Sequence, residues 1–244
     1  MSRQDFYALI GQEVARIDQA GTAKRQEKVI AGFTKDTPPR AVINGKPYRI
    51  FNSNDYLGLR FNDQLRQAET EASEKYGVGP GAVRFISGSL QIYQDLEKAI
   101  AEWHGREAGM TFSSAFATNM AVIACLIKGQ SKDSLVSAEV VVISDELNHR
   151  SIIDGIRVAN LASEQKQIFK HLDGDDLGRV LQENKGKFKR AVVITDGVFS
   201  MLGEYARMKQ LRTVVDEYDG QYGQGVMLVV DDSHGVAACG QGGR

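Results

Sequence analysis

Three short apolar runs mark the second half of the chain: VVVIS at 140–144, AVVIT at 191–195 and VMLVV at 226–230. Each is rich in β-branched residues and hardly alternates, the pattern of strands buried on both faces of a parallel sheet. Segments 150–160, 175–183 and 206–218 carry helical periodicity and fit as crossovers between them. The alternation predicts an α/β layered domain with right-handed connections. Upstream, Phe6, Ile10, Val14 and Ile17 stand at helical spacing and predict an amphipathic helix over 4–19. AVINGKPYRIFNS has hairpin turn chemistry at Asn44-Gly45. In LEKAIAEWHG, Leu96, Ile100 and Trp103 share one side of a helix and are expected in the core, with His104 at the surface.

Ligands of such sheets sit beyond the carboxyl ends of the strands. The residues at those ends are therefore informative: SDELNH, TDGVFS and VDDSHG. All carry an acid, and two carry a histidine (His149 and His234), so polar side chains converge on one edge, as a pocket requires. Either histidine taken alone is better explained by a structural role. Asp231, Asp232 and His234 suggest a metal only weakly, because adjacent residues leaving a strand point to opposite faces. No metal site is expected.

Two further segments stand out. YGVGPGAVRFISGS is glycine-rich but lacks the dinucleotide-binding spacing, which leaves a loop of turns or a loop packed near a ligand. In TFSSAFATNMAVIACLI, Ser113 or Ser114 can cap an apolar helix. The free N–H groups at its start suit either an ordinary cap or a bound phosphate.

Composition narrows the class. With 244 residues, 42% hydrophobic and 25% charged, the chain is an ordinary globular one. Thirty basic residues against 31 acidic ones give a net charge of -1, which calls for neither nucleic acid nor an acidic membrane. Cys125 and Cys239 form no disulfide framework or zinc spacing, and no signal-peptide core or spanning run is seen. A cytoplasmic protein with reduced thiols is expected.

The stretches FNSNDYLGL, GVGPGAVRFISGS, FSSAFATN, ISDELNHRSIIDGIR, ITDGVFSMLGEYA and VVDDSHGVAACGQGGR, in this order, resemble the α-oxoamine synthases. These are pyridoxal 5'-phosphate (PLP) enzymes of fold type I, with a mostly parallel sheet and helices on both faces. The likeness is strongest to glycine C-acetyltransferase, with 8-amino-7-oxononanoate synthase close behind. It implies condensation of a small amino acid, glycine favoured, with an acyl-CoA to give a 2-amino ketone. The alternatives are an oxononanoate synthase using alanine and a pimeloyl thioester, or a non-catalytic partner subunit. Homodimerisation is also implied.

By the same resemblance Asp231 meets the pyridine nitrogen, His149 stacks on the ring, and His234 lies near the 3'-oxygen and the substrate carbonyl. Ser200 hydrogen-bonds the cofactor region, Ala115 and Phe116 give backbone N–H groups to the phosphate, and Asn54 lies near the substrate carboxylate. Asp232 is expected to be structural.

The chain departs from the family's pattern in places. Leu202 stands where an acid is usual, Ala237 where glycine is common, and GQSKDSLVSAEV is longer than usual and expected to loop over the surface. The lysine that holds the cofactor covalently lies, in this family, beyond the GGR that ends the chain. The expectation is thus a helix and hairpin segment over 1–60 and the N-terminal part of an incomplete cofactor-binding large domain over 61–244, inactive alone.

Overall fold

The computed structural model describes residues 2–24, 27–129, 131 and 133–243. The chain divides into two compact units, Met1–Asp55 and Tyr56–Arg244.

The first unit opens with α1 (Arg3–Gln19). Its start is fixed by a reciprocal cap: Asp5 N–H donates to Ser2 Oγ at 3.2 Å, and Ser2 N–H donates to Asp5 Oδ2 at 2.6 Å. The predicted apolar stripe is present, but Phe6, Ile10, Val14 and Ile17 are exposed. Strands β1 (Gly32–Phe33), β2 (Ala41–Ile43) and β3 (Lys46–Tyr48) form an antiparallel sheet. Asn44 (φ 51°) and Gly45 (φ 73°) both take left-handed backbone, as a tight two-residue hairpin turn requires. The two-residue β1 is too short to leave a period in the sequence.

The second unit begins with helices α2 (Asp63–Tyr76), α3 (Arg84–Ser87), α4 (Gln91–Trp103) and α5 (Ala115–Lys128). The layered part comes next as β4 (Val140–Asp145), α6 (Arg150–Val158), β5 (Lys166–Phe169), α7 (Gly174–Asn184) and β6 (Arg190–Asp196). A small hairpin, β7 (Val198–Phe199) and β8 (Glu204–Tyr205), precedes α8 (Met208–Asp219) and β9 (Val226–Asp231). The main sheet has the order β5-β4-β6-β9, and every pairing in it is parallel.

Alternate residues of β4 and β6 enter separate cores. Val141, Ile143 and Val193 pack with Leu177, Leu181, Leu211 and Val215 from α7 and α8. Val142, Val192 and Ile194 pack with Ile123, Ile127, Ile152 and Ile156 from α5 and α6. Burial on both faces is why the predicted strands read as unbroken apolar runs. This is the expected fold-type I arrangement of a parallel sheet with helices on both faces.

Two expectations are corrected. Leu96 and Ile100 are 47% and 40% exposed, Trp103 is half-buried, and Ala101 is the one fully buried residue of α4. Helical spacing identifies an apolar face, but what covers that face is a tertiary matter. His104 is half-buried rather than on the surface. Strand β5 has no counterpart in the sequence pattern, because KQIF at the sheet edge carries too few apolar residues to stand out. The described part of GQSKDSLVSAEV before β4 contains no helix and lies largely exposed.

Candidate functional site

Three adjacent strands of the sheet end on acids at the same end: Asp145 on β4, Asp196 on β6 and Asp231 on β9, with Asp196 and Asp231 directly paired in register. A cavity of about 470 Å³ opens there. Ala115, Phe116, His149, Ser200, Asp231 and His234, far apart in sequence, all line it. Asn54 belongs to the first unit, where it is exposed, and is not among the lining residues.

Asp231 is held on both oxygens. Asn119 Nδ2 donates to Oδ2 at 2.6 Å, while Ser233 donates to Oδ1 through its N–H at 3.0 Å and its hydroxyl at 2.5 Å. Donors on both oxygens fix the direction in which the carboxylate points. The same Asn119 amide donates to Ser151 Oγ at 2.9 Å, and that hydroxyl lies 2.7 Å from His149 Nδ1. Ser151 N–H also donates to His149 Nδ1 at 3.2 Å. Nδ1 is therefore an acceptor, and the ring proton of the neutral imidazole sits on Nε2. Asn119 thus orients the acid directly and the histidine through one hydroxyl.

Helix α5 starts at the cavity wall. Ser114 is its cap, accepting from Ala117 N–H at 3.1 Å; Ser113 takes no part in it. Ala115 and Phe116 occupy the first two helical positions, whose N–H groups have no partner within a helix. They stand at the positive end of the helix dipole, a setting suited to an anion. The approach of α6 to α5 depends on Gly155, where a Cβ would lie 2.8 Å from the Asn119 carbonyl oxygen.

His234, which also lines the cavity, has its Nδ1 2.6 Å from the Tyr56 hydroxyl. Asp232 does not line the cavity; a Cβ at Gly235 would collide with its Oδ1, and one at Gly197 would stand 2.5 Å from it. Its carboxylate fills the space that those two glycines leave.

Asp196 is a lining residue that the sequence displays without assigning. Its Oδ2 accepts His149 N–H at 2.7 Å, and its own N–H donates to Asn148 Oδ1 at 2.9 Å. Burial pushes its carboxyl up to about 6; the His149 N–H works against that, and the neighbouring Asp231 charge adds to it. The recurrence of an acid at each strand end is its only signal in the sequence. Asn119 and Ser151 leave none, since their part depends on helices α5 and α6 meeting. Among the described residues no cluster of His, Cys, Asp and Glu is placed to hold a metal ion. Among them, too, no helix is long and apolar enough to cross a membrane.

A cavity of this size, with an anion-binding helix start, a fixed carboxylate and a histidine ring, fits a small aromatic phosphate. Comparison with known proteins bears on the same point. The family described as aminotransferase class I and II matches residues 48–243. The 8-amino-7-oxononanoate synthase of Thermoanaerobacter pseudethanolicus is 42% identical over 207 residues, covering 84% of this chain and 48% of that protein. That of Petrotoga mobilis is 35% identical over 244 residues, covering 98% of this chain and 56% of that protein. A serine palmitoyltransferase from S. paucimobilis, solved with a bound PLP–myriocin aldimine, superposes with a TM-score of 0.76 at 26% identity, over 97% of this chain and 54% of that one. The chain thus spans about half the length of the curated relatives it matches.

Proposed function

The chain belongs to the aminotransferase class I and II family, among the α-oxoamine synthases, and on that premise we propose that it forms the PLP-binding part of an acyltransferase that joins an amino acid to an acyl thioester. The preference for glycine implied by the motifs finds no support in the relatives named above, which carry the name of the alternative. We therefore favour an oxononanoate synthase, with alanine and a pimeloyl thioester as substrates. Pairing of two copies in the cytoplasm belongs to the same reading.

The observation that carries it is the meeting of a doubly anchored Asp231 with His149 and the start of α5 in one cavity. In this reading the N–H groups of Ala115 and Phe116 bind the phosphate. Asp231 would hold the pyridine nitrogen, and His149, its orientation set by Ser151, would lie against the ring. When bound, PLP supplies an electron sink for charge developing at the amino acid's Cα. His234, steadied by Tyr56, would hold or pass a proton near the reacting carbonyl. Ser200, on the cavity wall, would contact the cofactor region.

The test has two parts. Fluorescence titration of the chain with PLP should show saturable binding that Asp231→Ala weakens at least tenfold; absence of binding overturns the cofactor reading. Turnover by the whole protein with alanine and pimeloyl-CoA should exceed that with glycine and acetyl-CoA, and the reverse order restores the glycine reading.

A further inference from the structure

Behind the cavity wall lies a second polar constellation that the cofactor reading does not use. Asp145, at the end of β4, has a fully buried side chain. Its Oδ1 accepts Leu147 N–H at 2.9 Å and lies 2.8 Å from His171 Nδ1; its Oδ2 accepts Leu172 N–H at 3.1 Å. On the other side of the ring, His171 Nε2 lies 3.1 Å from Glu204 Oε2. A carboxylate at each ring nitrogen can be satisfied only if both nitrogens carry hydrogen, so the geometry calls for an imidazolium. The charged groups that face His171 are Asp145 from β4, Glu146 from the next turn (its Oε2 is 3.4 Å from the His171 backbone nitrogen) and Glu204 from β8.

The bridge reaches the cavity through two elements. Leu147, tied to Asp145, lines it. Glu204 pairs with Phe199 across the β7–β8 hairpin, and the hairpin's turn carries Ser200, Met201 and Leu202 along the cavity wall. Phe199 in turn meets the His171 ring edge-on, with centroids 4.4 Å apart at 88°. Next to His171, Leu172 stands at φ 57°, a left-handed conformation that costs a side chain with a Cβ energy and persists only where the surroundings offset it. In this conformation the Leu172 N–H bonds Asp145 Oδ2.

We infer that His171 is a positioning residue: a cationic bridge between Asp145 and Glu204 that holds the 198–205 hairpin, and with it Ser200, against the cavity. The assignment of a purpose to that order rests on the cavity being the cofactor site. Burial works against the charged ring, but the hydrogen bonds and charges of Asp145 and Glu204 outweigh it and raise its pKa. Loss of the proton leaves a lone pair facing a carboxylate, and the clamp on β8 opens.

NMR of the chain with 13C-labelled histidines, His171 being assigned from the His171→Gln variant, tests this without cofactor. The His171 midpoint should lie above the ordinary histidine value and fall by about one unit in Glu204→Gln, which spares the buried Asp145. Amide exchange at 199–203 should rise about tenfold as His171 deprotonates, and should stay fast at all pH in the His171→Gln variant. A midpoint at or below the ordinary value, or exchange indifferent to both changes, overturns the bridge. PLP titration over the same pH range separates the two readings. If the hairpin responds but PLP never binds, the bridge stands and the cofactor reading falls.

Discussion

Asn119 on α5 donates to Asp231 at the end of β9 at 2.6 Å, across 112 positions of sequence. With Ser233 on the other oxygen, this neutral amide sets the direction of the acid on which the proposed cofactor site depends. Hydrogen bonds to charged groups contribute about 1.5–3 kcal/mol, or roughly ten- to a hundredfold in affinity. Asn119→Leu is expected to weaken PLP binding by that factor while the far-UV spectrum stays unchanged. Affinity within twofold of the parent chain would show that Asp231 is oriented without it.

The packing of α5 on α6 gives a second expectation. An added Cβ at Gly155 would stand 2.8 Å from the Asn119 carbonyl oxygen and 3.3 Å from Ile123 Cβ. Both belong to a helix that has little room to retreat from the core. Gly155→Ala should destabilise the chain by about 1–3 kcal/mol in urea unfolding. A loss below about 0.5 kcal/mol, the range of neutral surface changes, would mean that the helices separate at little cost.

Asp196 makes stability depend on pH in a direction opposite to that of a paired surface acid. Its carboxyl, pushed up to about 6, keeps its proton in the folded chain when the unfolded chain has already lost it. Stability therefore falls as pH rises from the ordinary carboxylate range through about 6. Asp196→Asn removes the charge and keeps an oxygen for the His149 N–H. It should match the parent near pH ~4 and exceed it at pH ~7 by on the order of 2 kcal/mol. Thermal unfolding at both values checks this, and a constant gap between them would refute it.

Ala237 sits at φ 65°, in the left-handed region. This supplies a physical reason for the glycine common at that place in the family's pattern. Relief of the Cβ clash in Ala237→Gly is partly offset by the greater freedom of glycine in the unfolded chain. The net expectation is a gain of up to about 1 kcal/mol, read as a higher melting temperature. A lower melting temperature would place the Ala237 methyl in a contact worth more than the strain.

The apolar runs at 140–144, 191–195 and 226–230 became β4, β6 and β9 with little change at their ends. The Asn-Gly turn is equally legible, because two positive φ values in succession demand those residues. Strand β5 is not, because it sits at the sheet edge with polar residues and is ordered by its pairing with β4. Leu96 and Ile100 depart from expectation for a related reason: a stripe states which side of a helix is apolar and is silent on what meets it.

By itself, then, the sequence determined the apolar strands β4, β6 and β9, the capped start of α5, and the acids waiting at the strand ends, since these arise from backbone preference and local hydrophobic pattern. Only the tertiary structure decided which of those acids are anchored and which resist ionisation. The Asn119 clamp on Asp231, the burial that raises Asp196 and the Asp145–His171–Glu204 bridge all join residues distant in the chain. Their energies depend on separation and burial in space, and no spacing along the sequence encodes either.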